Sequence, residues 1–281
     1  MALKLMYITN KPEIAQIAQD AGVDRIFIDM EYIGKADRQG GMDTVQSHHS
    51  VEDIRRIRPI LTSSELLVRV NPIHKKGVYQ GIPHTSSEEE INAVIEAGAD
   101  IVMLPYFKSV EEVQFFVDTV DFGAKTILLL ETVEAAEQLE DILKIKGIDE
   151  IHIGLNDLCL EQGKKFLFQL VADGTVERLC HIIAEHNVPY GFGGIAAPGR
   201  GMLPAEYIIR DHYYYGSKCV ILSRSFCNTD DITDFEEIRE IFQSGVRKIR
   251  EVEEECSYYS EKDYLENHEE LKRRVQMICG Y

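Results

Sequence analysis

The stretch that decides the fold is residues 126–157, which read TILLLETVEAAEQLEDILKIKGIDEIHIGLND. It contains two short apolar runs, residues 126–130 and residues 151–154, and each run is followed by a carboxylate, Glu131 or Asp157. A continuous apolar run beside a helix is typical of a strand buried on both faces, as in parallel sheets. The stretch therefore predicts two neighbouring parallel strands joined by an amphipathic helix.

The same alternation of strand and helix patterns extends along most of the chain. Short apolar runs predict eight strands, at residues 3–9, 25–28, 66–68, 101–105, 126–130, 151–154, 189–192 and 219–222. Helical patterns with short connections separate them, and such β–α units in series predict a TIM (β/α)8 barrel. A doubly wound sheet is the rival architecture, but it would normally contain fewer strands and a clear topological switch.

Beyond residue 230 the chain is helical and strongly charged, with predicted helices at residues 235–254 and 258–277. The first can serve as the eighth helix of the barrel. The second is surplus to a barrel, and is either a solvated tail or an arm that packs on another subunit. We therefore predict a catalytic barrel domain at residues 1–230, and a helical extension at residues 231–281 that packs on the barrel or on a neighbouring subunit of a homo-oligomer.

Composition excludes several classes of protein. The formal net charge of −18 argues against a nucleic-acid partner, because phosphate binding needs a basic surface. A hydrophobic fraction of 44% supports a buried core, and no apolar run approaches the length of a membrane span. The six cysteines are scattered without metal-binding spacing. We expect a cytoplasmic protein with free thiols and no membrane contact.

Glu131 and Asp157 are the first candidate site residues. In a parallel barrel the C-terminal ends of the strands line the active site, so both carboxylates are expected in one pocket. Two hard oxygen ligands suit Mg²⁺ or Mn²⁺, which leaves positions for water and a chelating substrate. Taken singly, Glu131 fits a first-turn partner of a helix dipole, and Asp157 fits a cap or a turn. The pairing favours a metal site.

Arg69 follows the third predicted strand, and Asp29 and Glu31 follow the second. A guanidinium beside carboxylates can bind a substrate carboxylate or oxyanion in a fork while a cation binds the carboxylates. The alternative is a structural salt bridge from Arg69 to Asp29 or Glu31. Arg224, after the last strand, either reaches the pocket or pairs with a carboxylate at its rim.

Five segments at predicted strand ends have a recognisable combination of residues. They are AGVD with FIDME at residues 21–24 and 27–31, VRVN at 68–71, AGADIVMLP at 97–105, LET at 130–132 and IGLNDL at 153–158. In this order and at barrel spacing, they make the sequence resemble the HpcH/HpaI aldolase and citrate lyase family of the pyruvate/phosphoenolpyruvate barrel superfamily. The resemblance extends over about residues 3–228.

The resemblance implies a metal-dependent carbon–carbon lyase or aldolase that forms or consumes a pyruvate-type enolate. Its substrates would be a 2-keto acid and an aldehyde or other carbonyl compound. By the same resemblance, Glu131 and Asp157 ligate Mg²⁺ or Mn²⁺, and Arg69 binds the keto-acid oxygens. The backbone of Gly154, Leu155 and Asn156 would contact the substrate carboxylate.

The sequence departs from the family pattern after the second strand. Aldolases of this family usually have a histidine directly after the Asp-x-Glu motif, where it acts in proton transfer, and Tyr32 occupies that place here. Either His48 or His49, later in the same loop, could fold back as the acid–base group. The alternative is that they form a surface pair ahead of a helix capped by Ser50.

Arg38 and Gln39 lie in the same loop, and we expect them to select a larger or more anionic co-substrate. A Schiff-base mechanism is disfavoured, because Lys4, Lys125 and Lys218 precede their strands. Two further functions stay open. A citrate-lyase-like acyl-CoA lyase would need a basic patch for the CoA phosphates, and a catalytically silent barrel would serve as a binding or scaffold protein.

Overall fold

The computed structural model of the chain describes residues 2–38, 49–199 and 201–280. Eight parallel strands close into a barrel, and each is hydrogen-bonded to two neighbours. The barrel strands are β1 (Lys4–Ile8), β2 (Arg25–Asp29), β3 (Glu65–Arg69), β6 (Ile101–Leu104), β7 (Lys125–Leu130), β8 (Glu150–Ile153), β9 (Tyr190–Ile195) and β10 (Cys219–Leu222). The closed order is β1-β2-β3-β6-β7-β8-β9-β10, and β10 pairs with β1. The predicted TIM barrel is confirmed.

The remaining two strands form a small antiparallel hairpin, β4 (Gly77–Tyr79) and β5 (Ile82–His84), outside the barrel. The sequence analysis did not predict it. Its strands are three residues long and mostly exposed, with Val78 67% accessible, so they carry no alternation of buried and exposed residues. A strand without a buried face gives no periodic signal in the sequence.

Helices follow most of the barrel strands, as the alternation of patterns predicts. They are α1 (Pro12–Asp20), α2 (Lys35–Arg38), α3 (Val51–Ile57), α4 (Ser87–Glu96), α5 (Val110–Val120), α6 (Val133–Glu137), α7 (Leu139–Ile142), α8 (Leu155–Glu161), α9 (Gln169–Ala172), α10 (Thr175–Glu185), α11 (Ala205–Tyr214), α12 (Phe235–Cys256) and α13 (Glu261–Cys279). A 3₁₀ turn, Arg58–Ile60, follows α3. The short helices α2, α8 and α9 were not predicted, because helices of one or two turns give too few residues for a clear amphipathic pattern.

The barrel strands are buried on both faces. Along β7, Ile127 and Leu129 point into the barrel interior, whereas Leu128 and Leu130 join the larger core between strands and helices. Successive side chains of a strand alternate between its two faces, so an uninterrupted apolar run satisfies both layers. The run therefore ends where the strand leaves the barrel, and Glu131 is the first residue beyond it.

The two C-terminal helices pack on the chain's own barrel. Helix α12 lies against α1 and α11, and α13 lies against α11 and α9. Asp211 of α11 accepts a hydrogen bond from Asn267 of α13 at 2.8 Å and lies 2.8 Å from Nδ1 of His268. The domain boundary at residue 230 and a contact with a second subunit stay predictions. Among the described helices, none combines the length and the apolar character that crossing a membrane requires.

Candidate active site

A cavity of about 550 Å³ lies at the end of the barrel where the strands finish. Its lining includes residues predicted to form the site, namely Asp29, His49, Arg69, Glu131, Asn156 and Asp157. It also includes Arg224, whose place was left open, and Tyr7, Lys11 and Lys35, which were not predicted. A second cavity, of about 610 Å³, lies at the opposite end of the barrel. Lysines are among the residues that line it, but none of the side chains named above is. The first cavity is therefore the candidate active site.

Glu131 is buried directly beyond β7 and is held by two backbone neighbours. Its Oε1 accepts a hydrogen bond from the Tyr106 N–H at 3.0 Å. On its other side lies Gly154, where a Cβ atom would be 2.7 Å from Glu131 Oε2. Because a Cβ atom this close would force Glu131 or its neighbours to shift, glycine at position 154 leaves the space that the carboxylate occupies.

Asp157 lies in the first turn of α8 and is likewise buried. Burial raises the pKa of Glu131 well above its usual value, and the negative charges of Glu31 and Asp157 raise it further. Arg69 and Arg38 act in the opposite direction. The two carboxylates predicted as a pair therefore interact electrostatically within one site, with Glu31 as a third member.

Arg69 forms an ion-pair network with Asp29 and Glu31. Its Nε and Nη2 atoms donate to Asp29 Oδ1 and Oδ2 at 2.8 and 2.7 Å, and its Nη1 lies 3.3 Å from Glu31 Oε2. Burial alone would raise the pKa of Asp29, but Arg69 and Lys35 hold it below its usual value. The salt bridge from Arg69 to Asp29, given above as the alternative to substrate binding, is thus present. The guanidinium of Arg69 also lines the cavity.

The short helix α2 adds two cations to this network. Lys35 Nζ lies 2.9 Å from Asp29 Oδ2 and 3.5 Å from Glu31 Oε2. Arg38 donates from Nη2 to Glu31, and its Nε is 3.5 Å from Asp157 Oδ2. Arg38 was predicted to select the co-substrate, and in the structure its guanidinium contacts the carboxylates of Glu31 and Asp157. Gln39, predicted beside it, lies outside the described residues.

His49 lies at the cavity and contacts the end of β2. Its Nδ1 accepts a hydrogen bond from the Asp29 N–H at 3.0 Å, so the remaining ring proton is on Nε2. Burial lowers the pKa of His49, which favours the neutral ring near pH 7. Of the two histidines proposed from the sequence, His49 therefore lies in the site, and His48 falls outside the described residues.

The segment Gly154, Leu155 and Asn156 joins β8 to α8. Gly154 is the residue before α8, Leu155 is buried, and Asn156 lines the cavity next to Asp157. The start of a helix presents backbone N–H groups that have no partner within the helix. The predicted backbone contact with a substrate carboxylate is compatible with this position and stays a prediction.

Besides Lys35, two residues that also shape the site, Tyr106 and Asn71, were not predicted as site residues from the sequence. Tyr106 adopts a left-handed backbone conformation with φ of +47°, from which its N–H reaches Glu131 and its ring lies 3.9 Å from the Arg38 guanidinium. Asn71 Oδ1 accepts the N–H groups of Tyr32 and Ile33, both at 2.9 Å, and so fixes the segment leading to α2. The short polar motif after β3 was the available signal for Asn71, whereas nothing in the sequence indicates the conformation of Tyr106.

Comparison with known proteins gives the family. A sequence model described as HpcH/HpaI aldolase/citrate lyase matches residues 4–166, which is more than half of the chain. The chain belongs to the HpcH/HpaI aldolase/citrate lyase family. The resemblance inferred from the five segments is thereby confirmed, and family membership supports an enzyme with a lyase or aldolase function. No curated protein matches the sequence significantly.

Solved structures show the same fold. An HpcH/HpaI aldolase/citrate lyase family protein from Burkholderia cenocepacia J2315 superposes with a TM-score of 0.59 at 16% identity, covering 85% of this chain and 95% of that one. The HpcH/HpaI aldolase from Desulfitobacterium hafniense DCB-2 gives 0.58 at 16% identity, with coverages of 89% and 93%. The citrate synthase SbnG gives 0.58 at 15% identity, with coverages of 90% and 95%.

The residues of this HpcH/HpaI barrel fit a divalent cation at Glu131 and Asp157. Both are buried carboxylates, and their mutual repulsion is the kind that a dication relieves. Within the described ranges, no group of three or more His, Cys, Asp or Glu side chains is arranged to hold a metal ion. Two protein carboxylates are enough for Mg²⁺ or Mn²⁺, which keep several waters and take further oxygens from a substrate.

Proposed function

We propose that this protein is a divalent-metal-dependent carbon–carbon lyase or aldolase that forms or consumes the enolate of a pyruvate-like 2-keto acid. The observation that carries the proposal is the placement of Arg69 beside the Glu131–Asp157 pair, at the mouth of an HpcH/HpaI family barrel. A pair of carboxylates for a cation and a fixed guanidinium for an anion are the two elements that a bound 2-keto acid requires.

Glu131 and Asp157 would hold Mg²⁺ or Mn²⁺. The ion, when bound, supplies Lewis-acid polarisation of a ketone oxygen and so stabilises the negative charge that the enolate carries there. The chain contributes the position of the two carboxylates. Tyr106 fixes Glu131 through its N–H, and α8 fixes Asp157 at its first turn.

Arg69 would bind the keto-acid oxygens and stabilise the enolate. Asp29 engages its Nε and Nη2, which sets the plane of the guanidinium before any substrate arrives. Donors that are oriented in advance stabilise developing charge without reorganisation, and this is commonly the largest catalytic contribution of a site. The neighbouring carboxylates raise the pKa of Arg69, against the effect of burial, so its positive charge is permanent.

His49 would donate a hydrogen bond to the substrate. Because Nδ1 accepts the Asp29 N–H and burial favours the neutral ring, Nε2–H remains as the donor, and the ring has no free lone pair with which to act as a base. A neutral imidazole can polarise a substrate carbonyl oxygen through this hydrogen bond, but it does not transfer the proton, because its loss would leave an imidazolate. This supports an electrophilic role for His49, distinct from the proton transfer that the resemblance assigns to the histidine at the position of Tyr32.

The co-substrate would be an aldehyde or another carbonyl compound that enters beside the keto acid. Lys11 and Arg224 line the same cavity, on the side formed by β1 and β10. Lys11 is paired with Asp230 at 3.3 Å. Cations at this rim favour a co-substrate that carries negative charge of its own. A homo-oligomeric state and a cytoplasmic location stay predictions.

The test is calorimetric titration of metal-stripped protein with oxalate, a planar mimic of the pyruvate enolate, with and without Mg²⁺ or Mn²⁺. We expect oxalate to bind only when the ion is present, and binding to disappear in Glu131→Gln and Asp157→Asn. The surface variant Glu52→Gln serves as a matched control, because Glu52 is exposed and is not among the residues that line the cavity. Absence of binding in every condition would favour the silent-scaffold alternative over enolate chemistry.

A further inference from the structure

Three of the four carboxylates of the site already have positively charged partners from the chain. Asp29, Glu31, Glu131 and Asp157 converge there, and three basic side chains, Arg69, Lys35 and Arg38, are in ion-pair contact with Asp29, Glu31 and Asp157. All four carboxylates are buried. Buried charges are costly unless paired, so these cations stabilise the site in the absence of any bound ion.

Arg38 differs from the other two cations in the carboxylates that it contacts. Arg69 and Lys35 are paired with Asp29 and Glu31. The guanidinium of Arg38 contacts Glu31 through Nη2 and lies 3.5 Å from Asp157 Oδ2 through Nε. Asp157 is one of the two proposed metal ligands. Arg38 therefore lies beside a carboxylate oxygen that would also have to bind the divalent ion.

The contacts of Arg38 hold it in this place without saturating it. The ring of Tyr106 lies 3.9 Å from its guanidinium carbon, and only 13% of its side chain is accessible. Within the described residues, its Nε is buried and makes no hydrogen bond. A buried donor without an acceptor is unfavourable, so the guanidinium is hydrogen-bonded on its Glu31 side, whereas on its Asp157 side it is held by charge and by the stacked ring. Such a cation can be displaced by one with a higher charge.

We propose that Arg38 is a built-in competitor of the divalent cation. Its guanidinium neutralises Asp157 and Glu31 when no ion is bound, and it leaves Asp157 when Mg²⁺ or Mn²⁺ binds. The proposal rests on the metal site of the proposed function and adds a residue that sets the affinity of that site. Helix α2, one turn long and anchored through Asn71, delivers the competitor from outside the barrel strands.

The competition is measured by the affinity for Mn²⁺, without reference to catalysis. Free aqueous Mn²⁺ gives a six-line electron paramagnetic resonance signal that diminishes on binding, so titration of metal-stripped protein yields a dissociation constant. The proteins are wild type, Arg38→Gln, Arg38→Lys, Arg55→Gln and Glu131→Gln. Arg55 is an exposed arginine paired only with Glu52 among the described residues, so its replacement changes the net charge equally without altering the cavity lining.

We expect Arg38→Gln to bind Mn²⁺ at least about tenfold more tightly than wild type, because a positive charge beside a proposed ligand, Asp157, is removed. Arg38→Lys should lie between the two, and Arg55→Gln should equal wild type. Mn²⁺ binding by Arg38→Gln in the absence of binding by wild type would also support the proposal. Circular dichroism and thermal unfolding show whether each variant is folded.

Equal or weaker binding by Arg38→Gln, with wild-type binding that is lost in Glu131→Gln, would overturn the competition while leaving the metal site in place. Absence of Mn²⁺ binding in wild type and in Arg38→Gln alike would overturn both. A gain in Arg55→Gln as large as that in Arg38→Gln would overturn the competition as well, because the effect would then follow from net charge alone.

Discussion

Arg69 binds Asp29 through two parallel hydrogen bonds, Nε to Oδ1 at 2.8 Å and Nη2 to Oδ2 at 2.7 Å. The pair joins the ends of β2 and β3, whose residues 29 and 69 are register partners in the sheet. A two-point contact fixes both the position and the plane of a guanidinium, which a single contact does not. Arg69 is thus oriented by the barrel itself.

The variant Arg69→Lys tests this orientation. An ammonium group keeps the charge but cannot reproduce the fork, so we expect oxalate to bind at least about tenfold more weakly in the presence of Mg²⁺. Calorimetry measures the affinity, and Arg55→Lys is the control for a lysine at an exposed position. Unchanged oxalate affinity in Arg69→Lys would show that Arg69 serves the structure of the site and not its ligand.

Glycine at position 154 is required by Glu131. In Gly154→Ala the new methyl group would lie 2.7 Å from Glu131 Oε2, so the carboxylate must move. Movement of a ligand typically weakens metal binding by about 10–100-fold, and we expect an increase of this size in the Mn²⁺ dissociation constant. Gly194→Ala is the matched control in β9, because its nearest neighbour would be 3.4 Å away.

Both glycine variants are titrated with Mn²⁺ after thermal unfolding has shown that they fold. Equal Mn²⁺ affinity in Gly154→Ala and Gly194→Ala would mean that Glu131 is not a ligand or that the segment relaxes freely around the methyl group. A selective loss in Gly154→Ala agrees with Glu131 as a metal ligand.

Glu90 predicts a pH dependence of stability. Burial raises its pKa to about 7, despite hydrogen bonds from the backbone and side chain of Asn71. A carboxyl with a raised pKa in the folded state stays protonated while the unfolded chain ionises. The contribution of Glu90 to the free energy of unfolding is therefore complete below the ordinary pKa of a glutamate and is lost as the pH rises through about 7.

We expect wild type to lose about 2 kcal/mol more than Glu90→Gln in the free energy of unfolding between pH 5.5 and pH 8. Urea unfolding at the two pH values measures it, and both lie above the sequence pI of about 4.9, where solubility is lowest. The difference between the two proteins removes the contribution of all other titrating groups. Parallel pH profiles would mean that Glu90 is ionised in the folded protein as it is in the unfolded chain.

The barrel and its main carboxylates could be predicted from the sequence because both follow from a local pattern. An apolar run such as residues 126–130 specifies a strand with two buried faces, and the first polar residue after it, Glu131, lies at the mouth. Parallel strands finish on the same side of a barrel, so Asp29, Arg69 and Glu131 could be placed together without knowledge of any distance.

The ion pairs of the α2 cations could not be predicted in the same way, although Arg38 was itself a candidate. Lys35 lies six residues after Asp29, whereas the residues expected at the barrel mouth follow their strands closely. Its position depends on a turn that Asn71 holds from another strand end, and the contact of Arg38 with Tyr106 depends on a left-handed residue. Both are tertiary relationships that leave no periodic trace in the sequence.

The measurement that tests enolate formation most directly is exchange of the methyl protons of pyruvate with D₂O, followed by proton NMR in the presence of Mg²⁺. It needs no knowledge of the carbonyl co-substrate. We expect the methyl protons to exchange well above the protein-free rate and only in the presence of Mg²⁺. The exchange rate should fall by about 10²-fold or more in Glu131→Gln and in Arg69→Lys. Exchange no faster than in buffer, or equal exchange in wild type and Glu131→Gln, would contradict the proposed enolate chemistry.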